Sequence, residues 1–423
     1  MSSLQDKISA VRAAVVRRKP ICEGLVDLDD KSSFLLYRKG ETEARFIDLR
    51  STTAKQLKEL AEACLPATFG MDNKDVYDES YRKARKMDSE NFGIKFDPEE
   101  LGLLRVIRNG LLEGTDQARE IRAELYKLNV YDKGSFFKAH KDTPRGEKMF
   151  GSLVIVFPTK HTGGTLIFRH DGEEWKHNPL SLMKSHTAPA ASYAAFYSDV
   201  EHEVAPVASG YRVTLTYNLY WKDTTATNTS SAAKLFTVPT QPSSTPLCNA
   251  ITNLLNDEGC LPNGGYLGFG LRFMYPIRRL SESYGENLSP LLPHLKGSDA
   301  LIKQACEALS LPISLQVSIK DEDRDGPQIL VPRLPNLSGD EVDHHDSWFE
   351  TLQGVGAVPV FETGEESEED SWKELVWATP RTEFRTYSSS YIAYGNEHST
   401  GHVYGDVCLV AKVGPHGARK EGV

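Results

Sequence analysis

The sequence predicts an α+β protein in which a β-rich core is followed by a mixed C-terminal region. In the stretch 126–221, apolar and polar residues alternate over several short runs, as is typical of strands that bury one face. The stretches 97–111 and 298–309 instead carry apolar residues at helical spacing. Residues 223–246 are rich in Ser, Thr and Pro, so they predict a linker between the two parts.

These stretches predict how the chain is divided into domains. At 423 residues, the chain is long enough for two or three domains. We expect a mixed helical and strand region over 1–120 and the β-rich core over 121–222. A linker over 223–246 and an α+β accessory region over 247–423 follow.

The individual elements follow from apolar periodicity and from capping residues. Asp97-Pro98-Glu99-Glu100 combines a capping carboxylate, a proline at the first helical position and an acidic first turn, and therefore predicts a helix start at Asp97. Further helices are predicted over 6–17, 54–64, 247–255 and 298–309. Further strands are predicted over 33–37, 45–49, 153–157, 165–168, 194–198, 264–273, 313–319 and 406–413.

Composition excludes several classes of protein. The formal net charge of −10 disfavours a generic nucleic-acid binder, which would present a basic surface. No apolar run approaches the roughly 18 residues of a membrane span, and the first residues do not contain the apolar core of a signal peptide. The six cysteines include no Cys-x-x-Cys pair, which predicts reduced thiols in a cytoplasmic or nuclear protein.

Three residues of the predicted core have the chemistry of metal ligands. His140 and Asp142 are two positions apart in a predicted strand, so their side chains project to the same side. His202 lies near a later strand and can supply a third ligand. Two imidazoles and one carboxylate on one face of a metal suit non-haem Fe(II) and its reactions with O2.

Arg212 starts the last strand of the core, ten residues after His202. In this strand Arg212 and Thr214 share one face, and apolar residues occupy the other. A buried guanidinium needs an anionic partner, and its planar fork holds a carboxylate through two bonds. The pattern predicts a dicarboxylate cosubstrate whose other end binds the metal.

The order and spacing of these residues resemble the Fe(II)/2-oxoglutarate-dependent dioxygenases: His140-x-Asp142, His202 and Arg212-x-Thr214. The resemblance covers about a quarter of the chain and implies a double-stranded β-helix, or jelly-roll, catalytic core with flanking helices. It also implies Fe(II) on the three ligands, 2-oxoglutarate as cosubstrate and O2, with ascorbate as an optional addition.

The surrounding residues are similar to the prolyl 4-hydroxylase branch of that superfamily: Tyr131, Gly163-Gly164-Thr-Leu and His202-Glu-Val-x-Pro206. This resemblance implies that Arg212 binds the distal carboxylate of 2-oxoglutarate, supported by Thr214 and Tyr131. It implies hydroxylation of a C–H bond in a prolyl or other side chain of a protein or peptide. A small-molecule oxygenase and a non-catalytic binding module on the same fold stay open as alternatives, and the oligomeric state is left open.

Other features receive weaker interpretations. His344-His345-Asp346 also contains His-x-Asp, but no alternating strand precedes it, so we interpret it as a solvated loop. The remaining histidines, His161 among them, are individually interpreted as unrelated to the site. The polar stretch 170–192 is expected to be a loop that covers the substrate. Arg145 and Lys148 follow the predicted ligands in a segment expected at the mouth of the site; we interpret it as a solvated loop, with contact to an acidic or peptide substrate as the alternative.

Overall fold

The computed structural model divides the chain into two compact units. One unit, which we call the core unit, consists of residues 19–112 and 116–234, and the other, the C-terminal unit, of 1–18, 113–115 and 235–423. The structure describes residues 3–71, 74–143, 145–146, 148–184, 186–222, 245–275, 286–320, 328–334, 341–342, 352–354, 356–364, 371–382, 387–393 and 399–419. The domain boundaries predicted from the sequence stay a prediction, and the predicted linker lies almost entirely outside the described residues.

The core unit consists mainly of strands. Its helices are α2 (Ala54–Ala63), α3 (Leu103–Leu111) and α4 (Pro179–Lys184). Its strands are β1 (Ile21–Asp27), β2 (Phe34–Lys39), β3 (Glu43–Asp48), β4 (Leu65–Pro66), β5 (Phe69–Met71), β6 (Lys74–Val76), β7 (Arg82–Lys83), β8 (Arg85–Asp88), β9 (Phe92–Ile94), β10 (Ile121–Tyr131), β11 (Phe136–His140), β12 (Met149–Val156), β13 (His161–Gly163), β14 (Leu166–His170), β15 (Glu173–His177), β16 (Ala190–Tyr197), β17 (Glu201–Val204), β18 (Val207–Gly210) and β19 (Arg212–Trp221).

Two antiparallel sheets dominate this unit. The larger has the order β1-β16-β12-β19-β10-β8-β4, and the smaller has the order β15-β14-β17-β11-β7. In β19 the apolar Val213 and Leu215 lie on one face and Arg212 and Thr214 on the other, and all four are buried. Such two-sided burial places one face of the larger sheet against a hydrophobic layer and the other against enclosed polar groups. Helix α3 packs on β1, β10 and β16, as expected for a flanking helix.

The structure corrects two expectations about local elements. The side chain of Asp97 accepts hydrogen bonds from the backbone N–H groups of Glu99 (2.7 Å) and Glu100 (3.3 Å), but the helix starts at Leu103. Gly102, with φ of +71°, separates this capped turn from the helix. The stretch 170–192 is not one loop, because it contains β15, paired with β14, and the short helix α4.

The C-terminal unit combines helices with a ring of strands. Its helices are α1 (Leu4–Ala14), α5 (Thr245–Leu255) and α6 (Gly297–Ala308). Its strands are β20 (Gly265–Gly270), β21 (Glu286–Asn287), β22 (Ile313–Ile319), β23 (Gln328–Val331), β24 (Arg333–Leu334), β25 (Glu341–Val342), β26 (Val358–Glu362), β27 (Lys373–Trp377), β28 (Tyr387–Ala393) and β29 (Ser399–Val413). The described helices and strands of both units agree with the predicted α+β class.

The strand pairing of the C-terminal unit closes on itself. The order β20-β27-β26-β23-β22-β29 returns to its start because β29 also pairs with β20. Strand β27 pairs in parallel with both β20 and β26, whereas every described pairing of the core unit is antiparallel. The C-terminal unit is therefore built differently from the core unit.

Apolar side chains fill both sides of this ring. One cluster of five buried residues includes Leu375 and Val410, which belong to β27 and β29. A larger cluster joins the strands to α1, α5 and α6, and Val11, Ile251 and Ala305 are fully buried within it. The first helix of the chain therefore contributes to the hydrophobic core of the C-terminal unit. None of the helices in the described ranges has the length and apolar content needed to cross a membrane.

Candidate active site

Three predicted ligands meet between neighbouring strands of the smaller sheet. His140 on β11 is the direct antiparallel partner of His202 on β17, and their ring centroids are 4.2 Å apart. Asp142 follows, and its Oδ1 lies 3.8 Å from Nε2 of His202. One ligand atom from each residue lies within 4.8 Å of the others. Such a cluster fits a single divalent ion whose other coordination positions stay open.

The position of Asp142 differs from the prediction in one respect. The prediction placed His140 and Asp142 on one strand, but β11 ends at His140. Asp142 lies just beyond the strand, where its backbone N–H donates to the carbonyl of Ser198 (3.0 Å). This hydrogen bond fixes the turn that returns the carboxylate to the two imidazoles.

Hydrogen bonds around the cluster orient all three ligands. Nδ1 of His140 lies 2.8 Å from the carbonyl oxygen of Lys138, and Nδ1 of His202 lies 3.0 Å from that of Val200. A carbonyl accepts only, so each Nδ1 carries the proton and each Nε2 presents a lone pair. Ser152, which sequence analysis missed, donates from Oγ to Oδ2 of Asp142 at 2.5 Å. Oδ1 of Asp142 is thereby left to face the histidines.

The surroundings favour the uncharged form of the His140 imidazole. Burial and the adjacent His202 hold the pKa of His140 well below its ordinary value, although Asp142 acts in the opposite direction. The ring of Phe137 stacks on His140 with centroids 3.6 Å apart, and the ring of Phe196 lies 4.6 Å from that of His202. Neutral imidazole is the form that binds a metal, so His140 can coordinate an ion without first losing a proton.

Arg212 occupies a buried position on the wall of the larger sheet. It is 1% exposed, and its Nε and Nη2 are buried without a hydrogen-bond partner among the described residues. Burial lowers the pKa of Arg212 to about 10. Tyr131 is its cross-strand partner, with the ring centroid 5.4 Å from the guanidinium carbon, and Thr214 lies two positions along the same face. A guanidinium in this state is a receptor for an anion.

The Gly163-Gly164 pair makes room for Arg212. Both glycines have positive φ, +77° and +71°. A Cβ on Gly164 would lie 2.6 Å from Cδ of Arg212, which is closer than side chains approach each other. Glycine is therefore required at position 164 both by the backbone conformation and by the path of the arginine side chain.

Sequence analysis also missed His161. It is buried and pairs across β13 and β18 with Gly210, two residues before Arg212, and the charge of Arg212 acts on its ring. Its Nδ1 lies 2.7 Å from the carbonyl oxygen of Thr159, and its Nε2 has no partner within the described ranges. Burial and the charge of Arg212 lower its pKa. Its place two residues before the glycine pair was the available sequence signal.

Two other expectations have different outcomes. Arg145 is exposed in the segment after Asp142, and its guanidinium carbon lies 4.3 Å from the ring centroid of Tyr126. Lys148 is exposed as well. The competing motif His344-His345-Asp346 lies outside the described residues.

Comparison with solved structures finds several distant similarities. A prolyl-4-hydroxylase from Pseudomonas putida is 18% identical, with 51% of this chain and 100% of that chain covered, at a TM-score of 0.30. A prolyl hydroxylase from Trichoplax adhaerens, in complex with a peptide fragment of a hypoxia inducible factor, is 15% identical over 51% and 91% of the two chains, at 0.31. AviO1 from Streptomyces viridochromogenes is 15% identical over 54% and 99%, at 0.26. These TM-scores are too low to assign a branch of any family.

Comparison with protein families gives a more specific result. No curated protein matches the chain. The model of the 2OG-Fe(II) oxygenase superfamily matches residues 126–220, the stretch that contains the ligand cluster and Arg212. The resemblance predicted from the sequence is confirmed for this stretch. Residues 126–220 are thus similar to the 2OG-Fe(II) oxygenase superfamily.

Proposed function

We propose that the chain is an Fe(II)- and 2-oxoglutarate-dependent dioxygenase that hydroxylates a C–H bond in a side chain of a protein or peptide, with a prolyl residue as the first candidate. One observation carries the proposal. Two cross-strand histidines and a carboxylate converge to within 4.8 Å, and on the larger sheet the buried Arg212 leaves Nε and Nη2 without a hydrogen-bond partner among the described residues. The cluster offers a metal site, and the arginine offers a site for one end of a diacid.

The ligand cluster is proposed to hold Fe(II). His140 and His202 present Nε2, because Nδ1 of each is engaged by a backbone carbonyl. Asp142 presents Oδ1, because Ser152 holds Oδ2. When bound, the iron supplies activation of O2 coupled to decarboxylation of 2-oxoglutarate. The residues of the chain orient the ligands, and the aromatic rings beside them exclude water.

Arg212 is proposed to bind the distal carboxylate of 2-oxoglutarate. Its two unpaired nitrogens suit bidentate binding, with Thr214 and Tyr131 as supporting contacts. We include His161 in this pocket. Because Nδ1 carries the proton of the neutral ring, Nε2 carries a lone pair, which would be repelled by the lone pairs of a bound carboxylate. Binding of the diacid therefore favours a second proton on the ring, at Nε2.

The core unit is proposed to be a double-stranded β-helix. Its two antiparallel sheets enclose the polar faces of β19 and β10 on one side and the ligand strands β11 and β17 on the other. This arrangement supports the jelly-roll expectation, because the site residues then lie between the sheets.

The preference for a protein or peptide substrate rests on the residues similar to prolyl 4-hydroxylases. They are Tyr131, the glycine pair before β14 and the residues after His202. Arg145 and Lys148, which we expect at the mouth of the site, are both exposed and suit polar partners. Incubation with pools of peptides and of small molecules, followed by measurement of succinate, separates this preference from the small-molecule alternative.

The decisive experiment does not require the substrate. Fe(II) and 2-oxoglutarate are titrated into the full chain without oxygen, and the visible charge-transfer band of the ternary complex is followed. We expect a band that saturates at one equivalent of iron and that requires both components. Absence of a band, together with no binding of either component by calorimetry, would leave a binding module as the remaining interpretation.

A further inference from the structure

The wall that carries Arg212 continues along β10 toward a group of cations. The register pairs Tyr131 with Arg212, Asn129 with Thr214, and Lys127 with Thr216. Alternate residues of a strand share a face, so the side chains of Lys127 and Arg212 project from the same side of the sheet. Ser152, which donates a hydrogen bond to Asp142, projects from this side too. Its cross-strand partner on β19 is Asn218, which lies two positions after Thr216 and therefore on the same face. Lys127 therefore faces the space between the sheets that contains the ligand cluster.

Lys127 is a buried cation without an anionic partner. Its exposed fraction is 7%, and among the described residues it forms no hydrogen bond or ion pair. The contact found for its ammonium group is the ring of its neighbour Tyr126, 3.9 Å from nitrogen to centroid. Asp88 is its cross-strand neighbour on β8, but this carboxylate lies 3.2 Å from Nζ of Lys86.

Arg82 reaches the same region from the smaller sheet. It is 6% exposed, and its guanidinium carbon lies 4.3 Å from the ring centroid of Phe137, which stacks on His140. It donates to the backbone carbonyl of Thr68 (2.6 Å) and to the side chain of Asn129 (2.9 Å). Its Nε is buried without a partner in the described chain, and it forms no ion pair there.

A buried, unpaired charge is costly, and two of like sign are more so. Solvated surface lysines do not incur this cost, and purely structural cations usually acquire a carboxylate. Within the described ranges, Lys127 forms no hydrogen bond and Arg82 leaves Nε unused, and the charge of Arg82 acts on both Lys127 and the ligand His140. A bound anion would remove the cost, in the same way as proposed for Arg212.

We propose that Lys127 and Arg82 form a second anion site in the core unit, one that binds a carboxylate or phosphate group of the substrate beside the carbon to be oxidised. The inference rests on the proposed function, which places the reaction at the ligand cluster. It narrows the substrate to one that carries such an oxyanion; in a peptide, this is an acidic or phosphorylated residue close to the target.

The protonation state of the lysine is in keeping with this assignment. Burial, together with the positive charges of Arg82 and Lys86, lowers the pKa of Lys127 to about 7. A partly neutral amine limits the cost of the empty site. An arriving anion restores the proton and strengthens the contact.

The test measures binding of simple anions to the full chain with Zn(II) and saturating 2-oxoglutarate bound. Sulfate represents a phosphate group and acetate a carboxylate, at constant ionic strength. The test variant is Lys127→Met, which keeps the length of the side chain. The matched control is Lys133→Met, which removes an equal charge from an exposed position in the turn after β10.

We expect the wild type and Lys133→Met to bind one of the two probes, and Lys127→Met to bind it at least roughly tenfold more weakly. The probe that binds with the higher affinity shows whether the site prefers a phosphate group, represented by sulfate, or a carboxylate, represented by acetate. The affinity for 2-oxoglutarate is measured on the same samples and is expected to be equal in the three proteins.

Three results would overturn the inference. In the first result, neither probe binds the wild type. In the second, Lys127→Met binds the probe as tightly as Lys133→Met does. In the third, Lys127→Met loses as much affinity for 2-oxoglutarate as for the probe, which would place Lys127 in the cosubstrate pocket. The first two, obtained while 2-oxoglutarate binds normally, leave the proposed function intact. Failure of all three proteins to bind 2-oxoglutarate would instead contradict the proposed function.

Discussion

Arg212 in the core unit and Asp299 in the C-terminal unit are equally buried, at 1% exposure, yet their surroundings are opposite. Arg212 leaves Nε and Nη2 without partners in the described chain. Asp299 accepts hydrogen bonds from the backbone N–H groups of Arg272 (3.0 Å) and Phe273 (3.1 Å) and from the hydroxyl of Tyr275 (2.8 Å).

This difference in hydrogen bonding indicates that Arg212 is a binding group for a ligand and that Asp299 is a structural group. A buried charge whose hydrogen bonds are all made by its own chain holds local segments together. A buried charge left unpaired lowers stability and is retained where a ligand completes it. Burial of a charged side chain therefore does not by itself identify a binding site. Hydrogen-bond donors of that side chain that lack an acceptor do identify one. Five predictions test this distinction, in order of decreasing expected effect.

The largest effect is expected at the metal ligands. Asp142→Ala should abolish metal binding and all 2-oxoglutarate turnover, because one of three ligands is lost. Ser152→Ala should weaken metal binding by about tenfold, because it frees Oδ2 of Asp142. Calorimetry with Mn(II) measures both, and Glu62→Ala on the exposed face of α2 is the charge control. Wild-type metal affinity in Asp142→Ala would refute its role.

Arg212→Met should weaken 2-oxoglutarate binding by roughly a hundredfold, because an anion would lose its buried charge partner. Stability should stay equal or rise, because the unpaired charge is removed. The affinity of Arg212→Lys for 2-oxoglutarate should lie between those of the wild type and Arg212→Met, because the lysine ammonium is a point charge and cannot bind a carboxylate through two parallel bonds. Equilibrium binding and thermal unfolding are the measurements. A large loss of stability in Arg212→Met would show that the arginine is structural.

Asp299→Ala should show the reverse pattern. The substitution removes a buried acceptor of two backbone N–H groups and of the Tyr275 hydroxyl, so we expect the free energy of unfolding to fall by about 3 kcal/mol or more. Hydrogen exchange in β20, at residues 265–270, reports the stability of this unit separately. Affinity for 2-oxoglutarate should be unchanged, and its loss would contradict the division of roles between the two charges.

The C-terminal unit should lose stability as pH rises. Burial raises the pKa of Glu113 from 4.5 to about 7, partly opposed by Arg18 and Arg272, and burial raises that of Asp299 to about 6. For a raised pKa the stabilisation is complete below the unfolded value and is lost as pH rises through the folded value. Glu113 alone accounts for about 3 kcal/mol between pH 4.5 and 7. Glu113→Gln should flatten this part of the profile of unfolding against pH, and an unchanged profile would refute the assignment.

The smallest effect is expected at His161. Arg212 is the charged group whose field acts on it, and this field and burial favour the neutral ring before cosubstrate binds. A carboxylate on Arg212 should draw a proton onto Nε2, so affinity for 2-oxoglutarate should fall by about tenfold as pH rises and the ring in the complex loses that proton. Calorimetry in buffers of different ionisation enthalpy measures the proton taken up. We expect uptake in the wild type and none in His161→Gln; equal uptake in both would exclude His161 as the source.

Much of the fold could be predicted from local periodicity. The predicted strand 313–319 coincides with β22, and the ends of the helices predicted at 247–255 and 298–309 lie within two residues of those of α5 and α6. Apolar spacing of 2 or 3.6 residues is a local property, so these elements needed no tertiary information. The helix predicted from Asp97 failed because a capped turn and a helix start share the same local pattern, and Gly102 separates the two.

The sequence by itself determined which side chains could bind a metal and a diacid, because residue chemistry and order along the chain are local facts. Tertiary structure decided that His140 lies opposite His202, that Ser152 holds Asp142, that Lys127 shares the wall of Arg212, and that the charge of Arg212 acts on His161. These relations depend on the register between strands distant in sequence. A shift of one residue in that register would turn each side chain to the other face. The periodicity of an individual strand is the same in either register, so the sequence alone could not decide between them.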